Sequence, residues 1–261
     1  MSIKINCQSK SKLLLWMEKI EKTLLELFFP EECIFCKKEG FLICPNCENK
    51  FPILHQQACP FCEKVFTKGG TLCQDCRKEN SYFYQLIAAS EYKSTELPKI
   101  IHHYKYRFIP NLSQPLGKIL VKGLLANQIK TPDIIIPVPL HPYRLRWRGF
   151  NQSQLLAEYV SENLLPGITI PVLNDLVLRK KNTPSQMGIR KYQLRQKNMA
   201  EVFQINPTLK EDRVEFVRKK KILIIDDVCT TGATIFNLAK TLAGLSPRSI
   251  SAVVLARQKI S

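Results

Sequence analysis

Short runs of consecutive aliphatic residues, not strict alternation, mark the later two-thirds of the chain. Ile134-Ile135-Ile136 stops at Pro137-Val138-Pro139, and Ile222-Leu223-Ile224-Ile225 stops at Asp226-Asp227. Such β-branched runs bounded by polar residues or proline predict strands buried on both faces of a parallel sheet. Further strands are expected at Leu86–Ala89, Val172–Leu178 and Ile250–Leu255. After Asp227 a Thr/Gly segment leads into Ile235, Leu238, Ala239 and Leu242, whose spacing predicts a helix. This strand–loop–helix order points to an α/β domain. Near the start, Leu13, Met17, Ile20, Leu24 and Leu27 recur at steps of four and three, predicting an amphipathic helix that ends at Pro30. It is read as a packing helix, with membrane-surface binding as the alternative. Leu13-Leu14-Leu15-Trp16-Met17 is too short for a secretory leader and is followed by Glu18, Lys19, Glu21 and Lys22. No stretch reaches the roughly 18 apolar residues of a membrane span. A cytoplasmic protein is expected.

Composition changes this picture in one respect. Thirty-nine Lys+Arg against 22 Asp+Glu give a net charge of +17. That excess suits a polyanionic partner, because each phosphate contact releases condensed counterions. Solvated basic faces on an ordinary globular protein would give the same total.

Cys33-x-x-Cys36, Cys44-x-x-Cys47, Cys59-x-x-Cys62 and Cys73-x-x-Cys76 hold eight of the ten cysteines. A Cys-x-x-Cys knuckle presents two thiolates on one side of a tight turn, and two knuckles complete tetrahedral coordination. Four knuckles therefore imply two zinc ions, with iron–sulfur as the residual alternative. A disulfide framework would need an oxidising compartment. Sequential pairing of the knuckles closes the shorter loops, although an interleaved pairing uses the same ligands. Four-cysteine sites leave no open position, so the ions are expected to be structural. The expected organisation is a helix over 1–30, a double zinc module over 31–80, and an α/β domain over 81–261.

Asp226-Asp227-Val228-Cys229-Thr230-Thr231-Gly232-Ala233-Thr234 is the strongest chemical signal. Thr230, Thr231, Gly232, Ala233 and Thr234 offer hydroxyls and backbone N–H groups at a helix N-terminus, a phosphate cradle. Asp226 and Asp227 can accept both hydrogens of a vicinal diol and attract Mg²⁺. The bland alternative is that these residues only cap the helix. No Walker-type lysine follows the glycine, which disfavours an ATP loop.

This string resembles the phosphoribosyl pyrophosphate signature of type I phosphoribosyltransferases. With the cysteine module it resembles the ComF (ComFC) family of competence proteins, over most of the chain. The resemblance implies a five-stranded, mainly parallel core and Mg²⁺ with phosphoribosyl pyrophosphate. It also implies a part in handling incoming single-stranded DNA during natural transformation, with an uptake helicase and recombination proteins as partners. Pro137-Val138-Pro139-Leu140-His141 and Arg148-Gly149-Phe150-Asn151-Gln152 resemble further family stretches, placing a loop beside the pyrophosphate. There Arg144, Arg146 and Arg148 become candidates for pyrophosphate or DNA, since a guanidinium binds two phosphate oxygens at once, and Trp147 offers a stacking face. Thr183-Pro184-Ser185-Gln186 and Arg195-Gln196-Lys197-Asn198 match the family too, which adds Arg179, Gln186 and Arg195 as candidates in a hood or a strand-binding groove. Lys105-Tyr106 matches another family position, explained equally well by a surface lysine and a core tyrosine. No residue qualifies as a catalytic base. The leading expectation is a phosphoribosyltransferase-like protein of DNA uptake. The alternative is a non-catalytic single-stranded DNA adaptor that keeps a phosphate pocket.

Overall fold

The computed structural model describes residues 31–92, 96–181 and 202–258. The helix expected over 1–30, and Gln186 and Arg195, lie outside them. The chain divides into two compact units, Met1–Asn49 and Lys50–Ser261. In the first, the described residues carry two knuckles, Cys33–Cys36 and Cys44–Cys47, a Glu32–Glu39 bridge and the single-turn α1 (Pro45–Glu48).

The second unit opens with a small antiparallel hairpin, β1 (Gln57–Ala58) and β2 (Phe66–Thr67), and the short α2 (Gln74–Glu79). There follow β3 (Gln85–Glu91), α3 (Glu96–Tyr106), α4 (Ser113–Ala126) and β4 (Ile134–Pro137). Next come α5 (Pro142–Arg148), α6 (Gln152–Asn163), β5 (Val177–Arg179) and β6 (Phe203–Ile205). The last elements are α7 (Glu211–Glu215), β7 (Lys221–Cys229), α8 (Ala233–Ala243) and β8 (Ser249–Arg257).

β3, β8, β7 and β4, in that order, form a wholly parallel sheet. Period-two alternation sorts its side chains between two faces. Ile134, Ile136, Ile222, Ile224, Ile250, Ala252 and Val254 share a core with Ile235, Leu238 and Leu242 of α8 and with Val177 and Phe203 of the β5–β6 pair. The intervening residues face α4 and α6, which pack on β3 and β8, and on β4 and β7, respectively. Gly123 of α4 permits that approach: a Cβ there would lie 2.5 Å from the Cβ of Ala89.

Among the described residues the parallel sheet has four strands, not the five expected from the resemblance. Of the strand expected over Val172–Leu178, Val172 and Leu173 meet the sheet at one point, a parallel bridge to Ile135 with the Leu173 N–H donating to the Ile135 carbonyl at 2.9 Å. Pro171 has no N–H to donate, and the chain bends at Asn174–Leu176 before pairing antiparallel as β5 with β6.

The topology positions the site. After β4 the chain passes to α6 on one face, whereas after β7 it passes to α8 on the other. β4 and β7 are neighbours, so their carboxyl ends open a crevice at a topological switch point, where α/β sheets take ligands.

Candidate functional site

The β7–α8 loop has the shape of an anion cradle. Gly232 stands at the N-cap of α8 with φ +78°, in the left-handed region that favours glycine. A Cβ on it would also lie 2.2 Å from Cε2 of Phe236. The Thr231 hydroxyl accepts from the Ala233 N–H at 3.4 Å, and the Gln258 N–H donates to the Cys229 carbonyl at 2.8 Å. The first-turn N–H groups of a helix have no intrahelical acceptor, and in α8 they open at the strand ends. Cys229 is buried behind the loop, and burial pushes its thiol up to about 12.

The two acids at the end of β7 differ. Asp226 accepts from the Ser153 hydroxyl at 2.8 Å and from the Asp227 N–H at 2.9 Å. Burial, then the neighbouring Asp227 charge, push its carboxyl up to about 6, against the pull of Lys105 and Ser153. Asp227 is buried; it accepts from the Val228 N–H at 2.7 Å and pairs with Lys105 Nζ at 2.8 Å. Ser153 is thus a site residue that the sequence did not single out, and Lys105, marked there only by the family's Lys-Tyr position, joins it. Ser153 lies in the first turn of α6, whose cap Asn151 accepts the Ser153 N–H and donates to the Val138 carbonyl, binding the β4 loop to the same corner.

The basic stretch after β4 is a two-turn helix, not the loop expected. His141 caps it by accepting the Tyr143 N–H, Pro142 takes the first helical position, and Gly149 ends it at φ +75°. A helix separates what a loop would have grouped. Arg144 and Arg148, four apart, share a half-buried face, whereas Arg146 is exposed. Burial, then the nearby Arg148 charge, lower the Arg144 pKa; burial, then Arg144, lower that of Arg179, which Asp226 counteracts. Arg144 thus feels the charges of both Arg148 and Arg179, and Arg179 that of Asp226. Arg148 also donates to the buried Gln152 side chain at 2.9 Å.

Beside Arg148 lies an aromatic step. Trp147 meets Phe108 edge-on at 5.3 Å and Tyr106 at 6.2 Å, and the Arg148 guanidinium stands 5.5 Å from the Tyr106 ring centre. Trp147 and Phe108 are exposed, as is Tyr143.

The eight cysteines gather sequentially, Cys33, Cys36, Cys44 and Cys47 in one cluster and Cys59, Cys62, Cys73 and Cys76 in the other, each with its sulfurs within 4.8 Å of one another. The two are built alike. Lys37 and Glu63, after the first knuckle of each, take positive φ and return their N–H groups to the Cys33 and Cys59 carbonyls at 3.0 Å. Cys44 and Cys73 cap short helices and donate their N–H groups to Cys33 Sγ and Cys59 Sγ at 3.4 Å. Burial opposes ionisation of Cys33, yet backbone donors led by Cys36 outweigh it and bring the thiol down to about 6. Burial and the neighbouring thiols push Cys47 up to about 12. Four convergent soft donors with backbone N–H groups on their sulfurs fit a structural Zn²⁺.

Residues 24–77 match the model of the double zinc ribbon domain, and residues 156–261 match that of the phosphoribosyl transferase domain. Competence protein F of Haemophilus influenzae is 29% identical over 243 residues, covering 88% of this chain and 98% of that protein. Competence protein ComFC of Streptococcus pneumoniae is 24% identical over 230 residues, covering 86% and 91%. Over most of its length the chain is thus similar to the competence proteins F and ComFC. Another relative is the DNA utilization protein YhgH of Escherichia coli K12, 26% identical over 224 residues, covering 83% of this chain and 92% of its own length. A solved purine phosphoribosyltransferase from Pyrococcus horikoshii covers 56% of the chain and 84% of its own at 17% identity, but with a TM-score of 0.28 it carries no argument. The chain thus joins a zinc-ribbon module to a phosphoribosyltransferase-type α/β fold. Among the described residues no helix is long and apolar enough to cross a membrane.

Proposed function

We propose that this chain, similar to competence proteins F and ComFC, binds Mg²⁺–phosphoribosyl pyrophosphate in the β4/β7 crevice and serves the handling of single-stranded DNA during uptake. One observation carries the ligand assignment: paired carboxylates, a glycine-bearing helix N-terminus and a group of arginines converge on one switch-point crevice. In this assignment Thr230, Thr231, Gly232, Ala233 and Thr234 hold the 5-phosphate. Asp226 and Asp227 accept the ribose hydroxyls. Arg144, Arg148 and Arg179 face the pyrophosphate, where they stabilise negative charge as it departs from the anomeric carbon. Arg146, exposed, is kept for DNA. Two adjacent carboxylates, one with a raised pKa, are a donor set whose repulsion a divalent cation relieves. Mg²⁺ would contribute charge neutralisation of the pyrophosphate.

The DNA assignment is supported by the names of the competence and DNA utilization relatives. It is supported also by the exposed rings of Trp147 and Phe108 beside Arg148, since bases stack on such faces while arginines track the backbone. These rings also favour the second reading, a single-stranded DNA adaptor that uses the crevice as a regulatory phosphate pocket. Two structural zinc ions, an organisation of 31–80 as zinc module and 81–261 as ligand-binding domain, and a cytoplasmic location, where thiol clusters stay reduced, complete the proposal.

Calorimetric titration of Mg²⁺–phosphoribosyl pyrophosphate into zinc-loaded protein tests it. Saturable binding that disappears in Asp226→Asn/Asp227→Asn is expected. A folded wild-type protein that binds none of it would overturn the ligand assignment and leave the DNA adaptor in front.

A further inference from the structure

The second four-cysteine cluster lies in the same compact unit as the sheet, and the residues between its first two cysteines reach the candidate phosphate loop by two separate routes. Phe61, between Cys59 and Cys62, stacks on Phe236 of α8 with ring centres 4.1 Å apart and planes 15° from parallel. Phe83 closes the group edge-on, 5.3 Å from Phe236 and 6.2 Å from Phe61. In a helix a long side chain lies back over the preceding turn, and the Phe236 ring accordingly covers Gly232, filling the space where a Cβ would stand. The second route is polar. Arg257, the register partner of Cys229 at the end of β7, donates at 2.7 Å to both the Pro60 carbonyl and the Glu63 carboxylate. Pro60, Phe61 and Glu63 thus touch the helix that begins the loop and the strand beside its other end.

We infer that the Cys59–Cys62 knuckle is the backing of the phosphate loop, with Phe61 as a positioning residue that holds Gly232 and the α8 N-terminus in ligand-binding geometry through Phe236. A turn of four residues has too little surface to hold a ring in place by itself. The thiolate–metal bonds of the cluster supply that rigidity, which a purely structural ion elsewhere would not lend to the site. A loop that must present several N–H groups at once loses affinity when its geometry is only approximately held. The inference rests on the ligand assignment above for its binding arm but not for its structural arm.

Three measurements on Phe61→Ala and Phe236→Leu test it: zinc content, amide hydrogen exchange of residues 230–233 without ligand, and affinity for Mg²⁺–phosphoribosyl pyrophosphate. Both variants should exchange these amides faster than wild type and bind about three- to tenfold more weakly, the range expected for losing an aromatic pair. Phe61→Tyr should restore both readouts. Phe236→Leu lies away from the cysteines and should keep two zinc ions per chain, so it separates the contact from metal loss if Phe61→Ala sheds zinc. Unchanged exchange in Phe236→Leu would overturn the coupling whatever the ligand does. Faster exchange in a protein whose wild type binds no ligand would uphold the coupling while the ligand assignment falls. Wild-type affinity in both variants would overturn the positioning role.

Discussion

Replacing Asp226 by Asn should make the protein more stable at neutral pH while removing ligand binding. The carboxyl is raised from its ordinary 3.8 to about 6, by burial first and by Asp227 second. The folded state therefore holds a proton that the unfolded chain releases more readily, and stability falls as pH rises from about 4 to beyond 6. A shift of this size corresponds to about 3 kcal/mol of cost at pH 8, about half of which develops between pH 5 and pH 8. Asparagine keeps the geometry, because its Oδ1 can still accept from the Ser153 hydroxyl and the Asp227 N–H. It also removes the charge that repels Asp227. Urea denaturation of wild type and variant at pH 5 and pH 8, at equal zinc content, measures the effect. The variant's advantage should grow by about 1–2 kcal/mol between the two pH values. A variant less stable than wild type at pH 8, or an advantage that does not change with pH, would refute the reasoning.

Three other substitutions probe the same region. Lys105→Met strips Asp227 of its partner at 2.8 Å; a loss of about 1–3 kcal/mol in chemical denaturation is expected, below the full cost of a buried orphan because Lys105 is partly exposed. The same change should move the Asp226 titration, followed by carboxyl NMR, further upward, since Lys105 currently lowers it. Trp147→Ala should weaken binding of a single-stranded oligonucleotide by about 1–3 kcal/mol, with little change in the salt slope, in fluorescence anisotropy across a salt series. Gly232→Ala meets both a positive φ and the Phe236 ring, so it should lower the denaturation midpoint and abolish phosphate-ligand binding in calorimetry.

The strands were legible where burial on both faces leaves an unbroken aliphatic run. Ile134–Pro137 is found with those bounds, and the Ile222 run extends as expected into the acids. The strand–loop–helix passage from Asp226 to Thr234 was legible because its pattern is local. What supports the acids was not. Ser153 reaches Asp226 across 73 residues and Lys105 comes from α3, on the far side of two crossovers; no periodicity records such a meeting. Arg144, Arg146 and Arg148 are an intermediate case. Proline at the first helical position and glycine after the last were both present to mark α5, and a helical phase would have set Arg146 apart from the other two. The Val172–Leu178 stretch misled because its aliphatic composition is that of a strand, whereas the bend at Asn174–Leu176 carries it off the sheet after one bridge.

The place of β8 has a consequence for the order of events at the ribosome. It is the last of the four sheet strands to be synthesised, yet it lies between β3 and β7. Until residues 249–257 have emerged, β3 has only its single bridges to Ile53 and Thr71 and no sheet strand on which to pair, and one edge of β7 stands open. Local pieces such as the cysteine knuckles can close early, whereas the sheet waits for a contact that spans nearly the whole chain: Arg257 meets Pro60 across 197 residues. Nascent chains stalled before β8 should accordingly be open to proteases and to chaperones that bind unpaired strands. Premature stops inside residues 249–257 should yield aggregates rather than a slightly shortened protein, because they remove an interior strand of the sheet.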